Sequence, residues 1–172
     1  TLRAGAQDLM RRLSACGIGM SIASGDEAGA VEDVAKRVGA HAFVAELSPQ
    51  DKLADVARLQ ADGHHVAVLG DGVNDAPVLA SADLGVAVGT GTQVAHANAD
   101  AVLTSPDLNA MVDALLVARR TRQIIKHNLV WAALYNVMAL PAAAAGVVPP
   151  WLAAIGMSLS SLVVVGNALR IR

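Results

Sequence analysis

Short apolar runs alternate with amphipathic segments along the first two thirds of the chain. Gly17 to Ser24 (GIGMSIAS) is an apolar run that ends at a Gly25-Asp26 turn, as a buried strand does. From Glu27 to Val38, Ala30, Val31, Val34, Ala35 and Val38 recur at helical spacing. His41 to Ala45 reads as a second strand. Ser48 followed by Pro49 predicts a helix start, a cap residue with proline in the first turn, and that helix should run to Asp62. Val66 to Leu69, Leu84 to Val88 and Ala101 to Leu103 are further buried-strand runs. Strands alternating with helices imply a mostly parallel sheet covered on both faces. Ligands of such sheets bind beyond the strand C-termini, so the loops there hold the chemistry.

The pattern changes at Asn128. From there to Leu169 the chain has no Asp, Glu, Lys or Arg. Roughly 20 apolar residues cross a bilayer, so this stretch has room for two crossings. Val147-Val148-Pro149-Pro150 supplies a break, because helices usually end before the residue preceding a proline. The expected organisation is a soluble domain over 1–118, a basic linker over 119–127, and a transmembrane hairpin over 128–172 with helices near 128–148 and 150–169. A buried helical pair in a soluble protein is disfavoured, because both segments are full length and lack a polar face. Arg119, Arg120, Arg122 and Lys126 precede the first span, Arg170 and Arg172 follow the second, and the connecting loop is uncharged. The positive-inside rule therefore expects both ends and the soluble domain in the cytoplasm. No signal-peptide pattern opens the chain, which reads as the C-terminal piece of something longer.

Composition narrows the function. The 172 residues carry 13 Lys+Arg and 15 Asp+Glu, a formal net charge of -2, which excludes a polybasic nucleic-acid binder. Hydrophobic residues are 54%, so disorder is excluded. Aromatics at 2% are too few for base-stacking platforms. Cys16 is the one cysteine and reads as a small core residue. His64-His65 precedes a strand, where adjacent side chains point to opposite faces. These two read as surface residues, and His41, His96 and His127 as isolated ones.

Three strand-end loops stand out. Gly70-Asp71-Gly72-Val73-Asn74-Asp75-Ala76-Pro77 follows the Val66 to Leu69 strand. Its glycines permit a sharp turn and close approach to a ligand. Asp71, Asn74 and Asp75 concentrate hard oxygen donors that suit Mg²⁺ held together with a phosphate. An ordinary Asp-Gly turn would explain Gly70 to Gly72, but not the added Asn-Asp pair before a proline. Ser24-Gly25-Asp26 offers hydrogen-bond donors, and Lys52, within Ser48-Pro49-Gln50-Asp51-Lys52, offers a point charge for phosphate. Alone, each is most simply a turn and a solvated lysine. Together, on successive strands, they form a phosphate and magnesium constellation.

The hairpin holds few polar groups, and those in a bilayer are costly and often functional. Asn128 and Tyr135 fall about 20° apart on a helical wheel and so share a face with each other. Asn136 adjoins them, and Pro141 frees the carbonyl of Val137 one turn away. Met157, Ser160 and Ser161 stand at i, i+3 and i+4. Thioether sulfur favours Cu(I) over hard cations, and no carboxylate is present for Zn²⁺, Ca²⁺ or Mg²⁺. Individually these residues are also common packing choices, Met as a gap-filler and Ser at helix contacts.

The motif GDGVNDAP, with SGD upstream and SPQDK between, resembles the phosphorylation domain of P-type ATPases, which has a haloacid-dehalogenase-like α/β fold. The resemblance extends over essentially the whole chain. It implies that Asp71 is the Mg²⁺ ligand, that Asn74 and Asp75 order the phosphate site, and that Lys52 contacts the aspartyl phosphate. Ser24, Gly25 and Asp26 match the family's TGD loop, with Ser for Thr, and Gly70 and Gly72 belong to the phosphate-site loop. Tyr135-Asn136 followed by Met157-x-x-Ser160-Ser161 is similar to the signature of the copper(I)-translocating subgroup of heavy-metal pumps. The ending MSLSSLVVVGNALR looks closest to the copper pumps that serve cytochrome oxidase assembly.

The family's DKTGT nucleophile motif, TGE loop, nucleotide-binding domain and CPC motif do not occur in the sequence. The chain is therefore expected to be a C-terminal fragment, short of a central strand and inactive alone. In the intact pump the resemblance implies Mg²⁺ and ATP as cofactors and Cu(I) as cargo. Its expected partners are the lipid bilayer, the rest of the pump chain and a copper chaperone. Its expected place is the inner or plasma membrane of a bacterium. Alternatives are a Zn(II)/Cd(II) pump, a membrane-anchored phosphatase of the same fold, and a non-catalytic membrane-anchored binding module.

Overall fold

A computed structural model of the chain describes residues 2–40, 42–70, 75–89 and 98–171. His41, Asp71, Gly72, Val73, Asn74, His96 and Arg172 lie outside the described residues. The chain divides into two compact units, Thr1–Asp113 and Ala114–Arg172.

In the first unit the elements run α1 (Ala6–Ala15), β1 (Ser21–Ala23), α2 (Ala28–Val38), β2 (Ala42–Val44), α3 (Pro49–Ala61), β3 (Ala67–Gly70), α4 (Ala76–Ser81), β4 (Leu84–Val88) and β5 (Ala101–Leu103). Helix α5 (Asn109–Ala144) then leads into the second unit, where α6 (Pro150–Ala168) follows. All strand pairs are parallel, as the alternation of strands and helices requires. The strands form two parallel parts, β1–β2 and β3–β4–β5, in keeping with a sheet short of a central strand. Among the described residues no strand pairs with the outer edges of β1 and β3.

Burial follows the helical period. Val31, Ala35 and Val38 form the inner face of α2, while Glu32–Lys36 and Asp33–Arg37 ion pairs occupy its outer surface. The centre of the β3–β5 layer is Leu79 of α4 against Ala87 of β4, both fully buried, with Val68 and Ala99 packed around them. Helix α1, unforeseen in the sequence, buries Leu9 and Leu13. Arg12 on its far end meets Asp113 at 2.6 Å, fixing α1 to the start of α5. Cys16 is half-buried at the C-cap of α1 rather than a core residue.

Helix α3 starts where Ser48 and Pro49 predict. Ser48 accepts from the Asp51 N–H, and the Asp51 carboxylate accepts from the Ser48 N–H at 3.0 Å, a reciprocal capping box. These hydrogen bonds, the Ser48 hydroxyl's foremost, hold the Asp51 carboxyl below the usual carboxylate range. Asp83 fastens the other end of the layer. It accepts from the Val66 N–H at 2.8 Å and from Gln60 Nε2 at 3.2 Å, and these bonds, the backbone one first, depress its carboxyl.

A depressed folded-state pKa stabilises the fold above the unfolded value and loses that contribution as pH falls through the folded value. Thermal melts between neutral pH and pH ~3 should therefore show stability falling below pH ~4, the unfolded carboxyl value. Asp83→Asn should melt lower at neutral pH and show a flatter acid dependence. An acid profile unchanged in that variant would remove Asp83 from the account.

Two expectations about the C-terminal region are corrected. The stretch over 119–127 is not a separate linker: α5 runs without interruption through it, since its arginines, Lys126 and Gln123 are good helix formers. The first helix also stops at Ala144 instead of Val148, and glycine rather than proline ends it. Gly146 has φ 71°. Its N–H bonds the Ala143 carbonyl at 3.0 Å and the Val147 N–H bonds the Ala142 carbonyl at 3.1 Å, the two bonds of a Schellman cap.

In the second unit α5 and α6 lie antiparallel. Asn128 meets Val164 and Asn167, Trp131 meets Ser160, and Tyr135 abuts Gly156, so the partner numbers fall as α5 advances. Among the described residues one helix is long and apolar enough to cross a membrane, Trp151–Ile171, and none of it is buried. The apolar end of α5 is shorter and more polar. Its 16 residues from Leu129 to Ala144 span about 24 Å, against about 30 Å of hydrocarbon.

Candidate functional site

Two groups of residues proposed from sequence are brought together, one in each unit. In the first unit, β3 ends at Gly70 and α4 begins after Asp75, its N-terminal flanking residue. A Cβ at Gly70 would stand 3.1 Å from the Asp75 Cβ, so glycine allows the strand end and the carboxylate to approach. Lys52, in the first turns of α3, reaches across to Asp75 with Nζ 2.9 Å from Oδ1. The two side chains are only 20% and 24% exposed, so this pair is far better shielded than a surface ion pair.

The Ser24-Gly25-Asp26 loop follows β1 and is tied to the start of α3. The Leu47 N–H bonds the Ser24 carbonyl at 3.0 Å and the Glu46 N–H bonds the Asp26 carbonyl at 3.0 Å. A Cβ at Gly25 would come within 3.1 Å of the Leu47 carbonyl oxygen, which explains glycine there. The Ser24 hydroxyl donates to Asp26 Oδ2 at 3.0 Å and accepts from the Asp26 N–H at 3.3 Å. It must rotate away from Asp26 to donate to a ligand. Among the described residues no hydrogen bond joins this loop to Lys52 or Asp75. Asp71, Gly72 and Asn74, the other sequence candidates, lie outside the described residues.

The donor chemistry at the β3 end suits a hard cation. Asp75 supplies carboxylate oxygen, and Lys52 pairs with it. Among the described residues no cluster of three His, Cys, Asp or Glu side chains could hold a metal by itself. His64 and His65 are exposed, as expected for a surface pair, and His65 Nδ1 lies 3.9 Å from Asp83.

In the second unit, Tyr135 and Asn136 of α5 and Met157, Ser160 and Ser161 of α6 line one cleft of about 340 Å³. Ala132, Val164 and Val165 complete its lining. Gly156 lets Tyr135 seat its hydroxyl against α6, because a Cβ there would fall 2.6 Å from that oxygen. Trp131 donates from Nε1 to the Ser160 oxygen at 3.2 Å, and Ser161 donates to its own helix at the Met157 carbonyl. Each serine oxygen keeps acceptor capacity, and the Met157 side chain is exposed.

Sequence reasoning missed Asn167. Its amide donates to Asn128 Oδ1 at 2.8 Å, while Asn128 Nδ2 donates to the Val164 carbonyl at 3.3 Å. The signal was available: Asn167 is the one amide residue of α6, and such residues pair across helices.

Comparison with known proteins gives matches along the whole chain. Residues 1–83 and residues 52–115 match haloacid dehalogenase-like hydrolase families. The copper-exporting P-type ATPase of Bacillus subtilis (strain 168) is 42% identical over 172 residues, which is 100% of this chain and 21% of that protein. The chain thus spans about a fifth of the curated relatives it matches. A zinc-transporting PIB-type ATPase in its E2.Pi state superposes with a TM-score of 0.92 and 36% identity over 99% of this chain and 28% of that one. The catalytic domain of the CPx-ATPase CopB-B superposes with a TM-score of 0.61 and 34% identity over 65% of this chain and 44% of that one.

Proposed function

The chain belongs to the heavy-metal P-type ATPase family and matches the C-terminal portion of its members, and from that premise we propose that it forms the phosphate-site and membrane-hairpin part of a copper(I) pump. In the intact pump, ATP would transfer its terminal phosphoryl group to an aspartate elsewhere in the pump. ADP would leave, and water would later release phosphate. Lys52 would offset the charge of that aspartyl phosphate, and Asp71, Asn74 and Asp75 would order the site. Asp71, with the hard oxygen donors around it, would hold Mg²⁺, which lowers the charge barrier between ATP and the aspartate. The edges of β1 and β3, unpaired among the described residues, suit the strand bearing that aspartate. Ser24, Gly25, Asp26, Gly70 and Gly72 would shape the surrounding loops.

The proposed domain plan is a phosphorylation domain over 1–118 and two membrane crossings, α5 from about Asn128 and α6, with both ends in the cytoplasm of a bacterium. The rest of the pump chain, the bilayer and a copper chaperone are its proposed partners.

The observation that supports copper is the cleft itself. A thioether, a phenol, an amide and two hydroxyls surround it, and residues 114–172 contain no carboxylate and no cysteine. The thioether suits soft, monovalent copper, and the lack of carboxylate and cysteine removes common zinc ligands. Zinc remains the second reading, because a zinc-transporting ATPase has the same backbone arrangement.

Met157→Leu in the intact pump tests the part the thioether plays in the copper reading. Leu nearly matches Met in volume, and such swaps usually cost under about 1.5 kcal/mol. The variant should reach normal abundance yet lose membrane-site Cu(I) binding and copper-stimulated ATPase by at least about tenfold. Tyr135→Phe and Asn136→Ala should weaken binding too. Met138→Leu, which lies outside the cleft, should be nearly silent. Parental Cu(I) binding in Met157→Leu would make Met157 a packing residue only, leave the copper assignment resting on the family likeness alone and reopen zinc.

A further inference from the structure

A second cleft, of about 160 Å³, lies where α5 and α6 approach each other near the chain end. Arg120, Gln123, Ile124 and His127 line it from α5 at i, i+3, i+4 and i+7, one helical face. Asn167 and Arg170 line it from α6 and its final turn. Ile124, only 8% exposed, forms an apolar floor. The Asn128–Asn167 bond holds the α6 wall in place.

The charge here is all of one sign. From Ala114 onward the chain has Arg119, Arg120, Arg122, Lys126, Arg170 and Arg172 but no acidic residue. Asp113, the last carboxylate, is engaged by Arg12. Among the described residues neither Arg120 nor Arg170 has a carboxylate partner. Two exposed guanidiniums line one small cleft, and their fork geometry matches phosphate oxygens.

The position selects the kind of anion. Arg170 lies within the last turn of the membrane-crossing candidate Trp151–Ile171, the depth at which lipid headgroups stand. Leu129 and Leu169, each 71% exposed, and Ile125 present apolar surface beside the lining residues. Acyl chains can cover such surface, whereas free phosphate cannot.

We infer that this cleft is a binding site for the phosphate headgroup of an anionic phospholipid, clamped by Arg120 and Arg170. The inference rests on α6 crossing the bilayer, and the test separates the two. The chain is reconstituted in vesicles of equimolar phosphatidylglycerol and phosphatidylcholine, floated on a density gradient, and its retained lipid counted by native mass spectrometry. A chain that fails to float refutes the membrane reading. A chain that floats should retain phosphatidylglycerol in preference to phosphatidylcholine.

Arg120→Gln and Arg170→Gln should each lower that preference about fivefold. Arg122→Gln removes the same charge from α5 outside the cleft and should change it less than about twofold. Equal loss in Arg122→Gln would assign the effect to general surface charge and overturn the site. The inference also falls if the floating chain shows no lipid preference. It falls equally if inorganic phosphate binds in an arginine-dependent way while lipid retention does not depend on the arginines.

Discussion

In a full-length pump carrying this segment, Lys52→Gln and Asp75→Asn should each lower phosphoenzyme formation by at least ~100-fold. That is the usual loss when one preorganised charge is removed from a reacting phosphoryl or acyl centre. The two groups meet at 2.9 Å, and both are mostly shielded from water, so each fixes where the other stands. Glutamine and asparagine keep most of the volume and remove the charge. Radiolabelled phosphoenzyme after a short ATP pulse reads the effect. A purely structural pair would give a different result: a melting midpoint lowered by a few degrees with phosphoenzyme intact. That outcome would withdraw Lys52 and Asp75 from the phosphate site. Asp71→Ala should abolish phosphoenzyme in the same assay.

Gly85→Ala should markedly lower the stability of the first unit. A Cβ at Gly85 would overlap the carbonyl oxygen of Leu79, with the Leu79 carbonyl carbon at 3.0 Å. The obstacle is backbone, so no rotamer change relieves it. Leu79 is itself fully buried at the centre of the layer. Gly85 is also held on its other side, where its N–H bonds Asp100 Oδ2 at 2.8 Å and its carbonyl accepts from the Asp100 N–H at 2.9 Å.

Overpacking of this kind costs about 1–3 kcal/mol, with rigid contacts at the upper end, which for a chain of this size lowers the melting midpoint by roughly 6–12 °C. Gly29→Ala provides the comparison. Gly29 sits in α2 with nothing within 4 Å of an added Cβ, so the substitution should raise stability by ~0.5–1 kcal/mol. An unchanged midpoint in Gly85→Ala would mean that β4 and α4 are not locked together.

The local elements were written plainly in the chain. Strands β4 and β5 have the bounds that their apolar runs suggest, and α3 begins at the Ser48-Pro49 signal, because caps and short apolar runs act within a few residues. The shared face of Met157, Ser160 and Ser161 was equally readable, since helical spacing alone sets it.

Other features depend on distance and could not be read that way. Helix α5 passes through a basic stretch that breaks the apolar pattern, and Gly146 ends it through two bonds that only a folded turn can form. Lys52 meets Asp75 across 23 residues and Asn128 meets Asn167 across 39. Spacing determines which side chains share a face. Which faces meet is decided only when α3 packs on α4, and α5 on α6, because that closure depends on packing between distant segments.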